Sequence, residues 1–146
     1  MNANILVVDD DETVRELLEM VFRREGWGVT LARNGEEAVD HLSRKSFDLM
    51  LTDLHMPRMD GYSLIPKALE FAPDMPIIVL SADSTLESID RIFRHAIKAF
   101  LPKPFDDVGK VLKKCRQALE LSRSHRDLQE KLTRAQEALS RVRDDG

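Results

Sequence analysis

The chain has 146 residues, 42% apolar and 33% charged, with 22 basic and 26 acidic side chains and a net charge of −4. That allows one domain of ordinary size and excludes wholesale disorder. The lone cysteine, Cys115, excludes an internal disulfide and a cysteine-based zinc site, and no apolar run approaches the roughly 18 residues that span a membrane.

Ile5-Leu6-Val7-Val8 is a continuous apolar run that ends at Asp9-Asp10-Asp11. It reads as a strand buried on both faces, as in a parallel sheet. Val14, Leu17, Leu18, Val21 and Phe22 then recur at helical spacing, and Gly26 is the expected helix stop. Val29 and Leu31 suggest a second strand. Asn34 is the expected cap of a helix carrying Ala38 and Leu42, with Glu36 and Glu37 favoured in its first turn. Phe47 to Thr52 is the third predicted strand, ending at Asp53. Met56 to Gly61 reads as a loop by its Pro and Gly, before a helix with Leu64, Ile65, Ala68 and Leu69. Ile77-Ile78-Val79-Leu80 is the fourth strand, ending at Ser81. Leu86, Ile89, Ile92, Phe93 and Ala96 form a further helical stripe. Ala99 to Leu101 is a short fifth strand before Pro102-Lys103-Pro104, and the final helix is expected to start near Asp106.

Strand and helix thus alternate five times, which implies a parallel sheet with helices on both faces. Ligands of such sheets bind beyond the carboxyl ends of the strands. The residues there are Asp9, Asp10, Asp11, Asp53, Ser81 and Lys103. Carboxylates gathered in one place repel unless one is protonated or a cation binds. A hard divalent ion resolves this, and Mg²⁺ commonly uses one or two carboxylates plus water and phosphate oxygens. Lys103 adds a fixed positive charge, Ser81 a hydroxyl donor, and an aspartate can act as an oxygen nucleophile that forms an acyl phosphate. Taken singly, each residue has a blander reading. Asp53 or Ser81 alone is more often a turn or cap residue, and Lys103 alone a solvated lysine. Three acids, a hydroxyl and a lysine at successive strand ends are hard to produce by turn chemistry.

Ile5 to Asp11, Asp53 to Gly61, Ser81-Ala82 and Lys103-Pro104-Phe105 together resemble the response regulator receiver domain of two-component signalling, over roughly residues 3 to 120. The resemblance implies an α/β fold: a doubly wound, flavodoxin-like (βα)5 domain with a five-stranded parallel sheet. It implies a phosphorelay regulator that is not a turnover enzyme but promotes its own phosphotransfer and dephosphorylation. Asp53 matches the phosphoacceptor. Asp9 and Asp10 match the acidic pair that holds Mg²⁺ (with Mn²⁺ as a substitute), Asp10 directly and Asp9 through water. The backbone carbonyl of His55 matches the ligand that completes the metal site. Lys103 matches the lysine on the phosphoryl oxygens, Ser81 the switch hydroxyl and Phe100 the switch aromatic. The Lys103-Pro104 bond matches one that is cis in the family. The implied partner is a sensor histidine kinase or a histidine phosphotransfer protein. The implied output is a shift in the face formed by the fourth helix, the fifth strand and the fifth helix.

Some positions depart from the common pattern. The side chains of His55 and Asp83 stand where they could shape access of the hydrolytic water; for His55 the alternative is an exposed loop histidine that lends only its carbonyl. Ala96-Ile97 stands in place of the frequent Gly-Ala. Phe100 lacks a hydroxyl, so it would report packing alone. Asp11 is most simply the cap of the first helix.

Residues 1–120 account for the receiver, and 121–146 remain. In this tail Ala118, Leu121, His125, Leu128, Leu132, Ala135, Leu139 and Val142 alternate at spacings of three and four, a heptad seam that continues the last helix. The expected role is a coiled-coil homodimer or a signalling linker; dimerisation through the fourth-helix, fifth-strand and fifth-helix face is the other route. The alternative is a solvated extension. Ser124-His125-Arg126-Asp127 lacks the acid and the proline that follow the phosphorylated histidine of kinase dimerisation helices. Residues 1–104 hold 12 basic and 18 acidic side chains, so direct nucleic-acid binding is not expected. With no membrane span and no signal-peptide pattern at Met1 to Asn4, a cytoplasmic location is expected.

Three rivals remain. An aspartate-nucleophile phosphatase of the haloacid dehalogenase type needs a second acid two residues after the nucleophile, where His55 stands. A flavodoxin-like nucleotide binder needs a Gly-rich or hydroxyl-rich phosphate loop, where Asp9-Asp10-Asp11 stands. A receiver-like interaction module that is never phosphorylated has no need of the full residue set.

Overall fold

The structure, a computed structural model, describes residues 2–82 and 94–144. Among them are five strands, β1 (Asn4–Val8), β2 (Gly28–Ala32), β3 (Leu49–Asp53), β4 (Ile77–Ser81) and β5 (Ile97–Pro102). The helices are α1 (Glu12–Arg24), α2 (Gly35–Arg44), α3 (Gly61–Phe71) and the long C-terminal α4 (Val108–Asp144). The predicted stripe Leu86, Ile89, Ile92 and Phe93, and Asp83 with it, lie outside the described residues; Ala96 is buried.

The strands form one parallel sheet in the order β2-β1-β3-β4-β5. Both faces are covered. Ile5, Val7, Leu49, Leu51, Ile78 and Leu80 meet Leu18 and Phe22 of α1 and Val111, Cys115 and Leu119 of α4. On the other face, Leu6, Val8, Met50 and Val79 meet Ala38 and Leu42 of α2 and Leu64, Ile65 and Ala68 of α3. Adjacent residues of one strand feed opposite cores, so the apolar runs have to be continuous rather than alternating. Cys115 is buried in the first of these cores, and burial pushes its thiol up to about 12, which makes it an inert apolar side chain.

Helix ends follow local chemistry. The Asp11 side chain accepts from the Thr13 N–H, Asn34 from Glu37 and Asp60 from Ser63, each satisfying an otherwise unpaired donor. Gly26, just beyond α1, has φ of 84°, a left-handed conformation that glycine adopts without steric penalty. Arg116 of α4 grips Glu25 at the end of α1 through two hydrogen bonds of 2.6 and 3.1 Å.

Three elements start two residues from where the sequence reading places them. β3 begins two residues later than expected and includes Asp53, because pairing with β1 starts at Ile5 opposite Leu49; Phe47 is buried, but before the strand starts. β5 is longer than Ala99 to Leu101 at both ends, because pairing with β4 runs from Ile77 to Ser81. The last helix starts at Val108 rather than near Asp106; the Asp107 side chain accepts from the Gly109 N–H, as a residue ahead of a helix does. Among the described residues, no helix is long and apolar enough to cross a membrane.

Candidate functional site

The switch in connection direction falls between β1 and β3, which are neighbours in the sheet. Val8 pairs with Thr52, so the next residues, Asp9 and Asp53, emerge side by side at the carboxyl edge. Asp53 pairs with Leu80 and Ser81 with Pro102. The register therefore brings Ser81 and Lys103 to the same edge. Four predicted site residues from four strands thus converge.

Asp9 is fully buried and Asp53 nearly so. Lys103 Nζ bridges them, 2.8 Å from Asp9 Oδ2 and 3.1 Å from Asp53 Oδ2. The Lys103 backbone N–H donates to the Ser81 carbonyl at 3.1 Å, which ties the lysine loop to β4. The Lys103-Pro104 bond is cis. Asp9 Oδ1 accepts from the Asp11 N–H at 2.9 Å, and Asp53 Oδ1 from the His55 N–H at 3.3 Å. Asp10, one residue from Asp9, is exposed to solvent. Ser81 is buried at the end of β4. Phe100 is half-buried, against the core shared with α2 and α3. The exposed His55 ring stands edge-on to Tyr62, centroids 5.8 Å apart.

Ligand oxygens of Asp9, Asp10 and Asp53 lie within 4.8 Å of one another. One ammonium faces three carboxyl groups, so the pocket is short of positive charge. Burial drives the Asp9 carboxyl above the ordinary carboxylate range, and the hydrogen bond from Lys103 offsets only part of this. Burial also disfavours the Lys103 ammonium, but its bonds to Asp9 and Asp53 outweigh that and hold its proton above the ordinary lysine range. Asp9 holds its proton because burial disfavours its charged form, and Lys103 holds its own because two carboxylates flank it. A donor set of hard oxygens with anionic charge in excess fits a divalent ion such as Mg²⁺.

Two contributors were not legible in the sequence. Arg15 Nη1 donates to the Asp9 carbonyl at 2.7 Å, pinning the turn that presents the acids. Its only sequence signal is a position one turn into α1. Gly61 packs so closely on β3 that a Cβ would collide with the Asp53 carbonyl oxygen and lie 2.8 Å from Leu54 Cα. Neither contact is a flexible side-chain end, so the backbone has to shift. Gly61→Ala is expected to lower stability by about 1–2 kcal/mol, the strain outweighing the alanine helix preference. Urea denaturation checks this; an alanine variant as stable as the parent would refute the close approach. The loop ahead of Gly61 includes Arg58 at φ of 68° and is tied down where the Gly35 N–H meets the Met59 carbonyl at 2.9 Å.

A doubly wound parallel sheet with a lysine-bridged aspartate cluster at its carboxyl edge defines a receiver-type signalling domain. Residues 5–116 match the family model described as the response regulator receiver domain, and the chain belongs to that family. It is 35% identical over 102 residues to the DNA-binding transcriptional regulator NtrC of Escherichia coli, covering 70% of this chain and 22% of that protein. The chain thus spans about a fifth of the length of the full-length regulators it matches. Among solved structures it is similar to a CheY-like receiver domain protein from Methanospirillum hungatei, with TM-score 0.78, 27% identity and coverage of 86% and 99% of the two chains. It is also similar to response regulator TrrA from Thermotoga maritima, solved in complex with Mg²⁺ and BeF, with TM-score 0.69, 30% identity and coverage of 80% and 98%.

Proposed function

We propose that this chain is the phosphoacceptor of a phosphorelay, taking a phosphoryl group onto Asp53 from a phosphohistidine of a sensor kinase or phosphotransfer protein. The carrying observation is the bridge from Lys103 to the buried Asp9 and Asp53 beside exposed Asp10. An Asp53 carboxylate oxygen attacks phosphorus as the phosphorus–nitrogen bond breaks. The imidazole leaves with that electron pair, and an acyl phosphate remains on Asp53. Asp9, Asp10, Asp53 and the His55 carbonyl would hold Mg²⁺, which would supply charge neutralisation there. Lys103 shifts from the carboxylates to a phosphoryl oxygen, and the Ser81 hydroxyl donates to another. Catalysis is then positioning and electrostatics, with no protein acid or base required.

The acyl phosphate places new negative charge beside Ser81 at the end of β4. Ser81 turns toward it, and Phe100 on the neighbouring strand follows inward, toward the core it already touches. The surface around β5 and α4 thereby shifts between two states. The protein acts as a switch that promotes its own phosphorylation and dephosphorylation rather than as an enzyme acting on other substrates.

The test is mass spectrometry of intact protein incubated with Mg²⁺ and a small phosphodonor such as acetyl phosphate. The parent is expected to gain one phosphoryl group and Asp53→Asn none. Uptake by Asp53→Asn equal to that of the parent would overturn the assignment.

A further inference from the structure

Asp10 stands apart from the other two acids of the cluster. It is exposed, and its carboxylate meets no hydrogen-bond donor or cation among the described residues. Asp9 is fully engaged by comparison. Its N–H donates to the Ala32 carbonyl at 3.1 Å, its Oδ1 accepts from the Asp11 N–H, its Oδ2 from Lys103 and its carbonyl from Arg15. Asp53 accepts from His55 and Lys103. Asp10 is thus the carboxylate most open to an incoming ion, and its backbone decides where it stands. We propose, resting on the phosphoacceptor reading above, that Arg15 is a positioning residue for the metal site. By holding the peptide unit between Asp9 and Asp10 it aims Asp10 at the ion, and so sets Mg²⁺ affinity rather than fold stability.

The Asp10 Cα joins two peptide planes, each rigid because the amide bond is rigid. The plane from Asp10 to Asp11 is held where the Asp11 N–H donates to Asp9 Oδ1 at 2.9 Å. The plane from Asp9 to Asp10 is held where Arg15 Nη1 donates to the Asp9 carbonyl at 2.7 Å. Among the described residues Arg15 is the only donor to that carbonyl. Without it the plane is free to turn, and Asp10 turns with it.

The donor comes from a rigid base. Arg15 lies one turn into α1, and helical side chains lean toward the helix N-terminus, so the guanidinium reaches back over the turn. The Arg15 N–H donates to the Asp11 carbonyl at 3.1 Å. Three residues on, fully buried Leu18 seats the helix in the core. A charged donor makes a stronger bond than a neutral one, which suits a group that must hold a peptide unit at the rim of the pocket.

Charge and position assign opposite signs to the loss of Arg15. As a cation bonded to Asp9 it repels Mg²⁺, so its removal would tighten binding if charge were its role. As the donor that aims Asp10, its removal weakens binding.

Thermal denaturation of the 146-residue protein over a Mg²⁺ series reads both stability and affinity, because an ion that binds the native state raises the midpoint by mass action. Phosphoryl uptake from acetyl phosphate is followed over the same series by mass spectrometry. Arg15→Met keeps an apolar stem and loses the donor. It is expected to bind Mg²⁺ at least about tenfold more weakly. The Mg²⁺ midpoint for uptake should rise by the same factor, and the rate at saturating Mg²⁺ should match the parent, since Asp53 and Lys103 are untouched. A merely structural role would lower the metal-free melting midpoint and leave Mg²⁺ affinity alone. Arg15→Lys should lie between the parent and Arg15→Met, because the contact uses one nitrogen, which an ammonium can replace. Mg²⁺ affinity in Arg15→Met equal to or tighter than the parent's would overturn the proposal. So would an Arg15→Lys protein that binds Mg²⁺ no better than Arg15→Met. Failure of the phosphoacceptor reading is distinct: the parent would bind Mg²⁺ yet gain no phosphoryl group, and the melting series would still report the effect of Arg15.

Discussion

Replacing Lys103 with methionine is expected to destabilise the protein by about 3–5 kcal/mol at neutral pH, the cost of leaving buried charge without its counter-ion. The lysine stands between a fully buried Asp9 and a nearly buried Asp53. Without it two carboxylates face each other with no ammonium between them. Protonation limits the penalty. The Asp9 carboxyl already lies above the ordinary range because burial outweighs its partners, and loss of Lys103 raises it further. A carboxyl raised in the folded state adds stability below its unfolded value, and that contribution is lost as pH rises through the folded value. The deficit of Lys103→Met is therefore smallest in acid and grows as pH rises through the folded Asp9 value. The parent differs, since Lys103 holds its proton above the ordinary lysine range. That contribution persists across neutral pH and disappears only as pH rises through the folded lysine value. Urea titrations of both proteins at a series of pH values from about 4 to about 8 measure this. A deficit that grows nowhere in that range would contradict the account.

Asp9→Asn is expected to act with the opposite sign, stabilising the metal-free protein by about 1–2 kcal/mol. Counting charge decides the sign. Two buried carboxylates share one ammonium in the parent; removing the lysine leaves two anions to none, whereas removing Asp9 leaves one to one with Asp53. The amide keeps the acceptor for the Asp11 N–H, so that hydrogen bond survives. The gain should be greatest at neutral pH and vanish in acid, where the parent Asp9 is itself protonated. The cost falls on cation binding. Asp9 is one of three carboxylates within ligand reach, so Mg²⁺ affinity should fall by at least about tenfold. Thermal denaturation with and without Mg²⁺ separates the two effects, because a ligand of the native state raises its stability by mass action. The parent should gain with Mg²⁺ and Asp9→Asn should not. An Asp9→Asn protein less stable than the parent without metal would refute the charge-excess picture.

Much of this was legible in the sequence because it is local. Strand runs such as Ile5 to Val8 and Ile77 to Leu80 are continuous because both sheet faces are covered, and that pattern needs no knowledge of neighbours. The caps Asp11 and Asn34 act within three residues of themselves. The rule that ligands collect at the carboxyl edge of such sheets singled out Asp9, Asp10, Asp53, Ser81 and Lys103 before any contact was known. The heptad spacing of the tail is likewise a property of the chain itself. Strand boundaries were less legible. Phe47 is as apolar as a strand residue, and only pairing with β1 shows that β3 starts at Leu49.

The amino-acid sequence by itself determined the α/β class, the alternation of elements and the chemical identity of the groups at the strand ends. Tertiary structure alone decided the strand order, which puts β1 beside β3 and so Asp9 beside Asp53. It decided that Asp9 is buried while Asp10, its neighbour, faces solvent. It decided that Lys103, 94 residues from Asp9 and 50 from Asp53, bridges both, and that Gly61 has room for no side chain. The division has one physical reason. Periodicity, capping and charge are written in residues a few positions apart, whereas burial and ion pairing depend on which distant segments share a dielectric environment, and only the folded chain sets that.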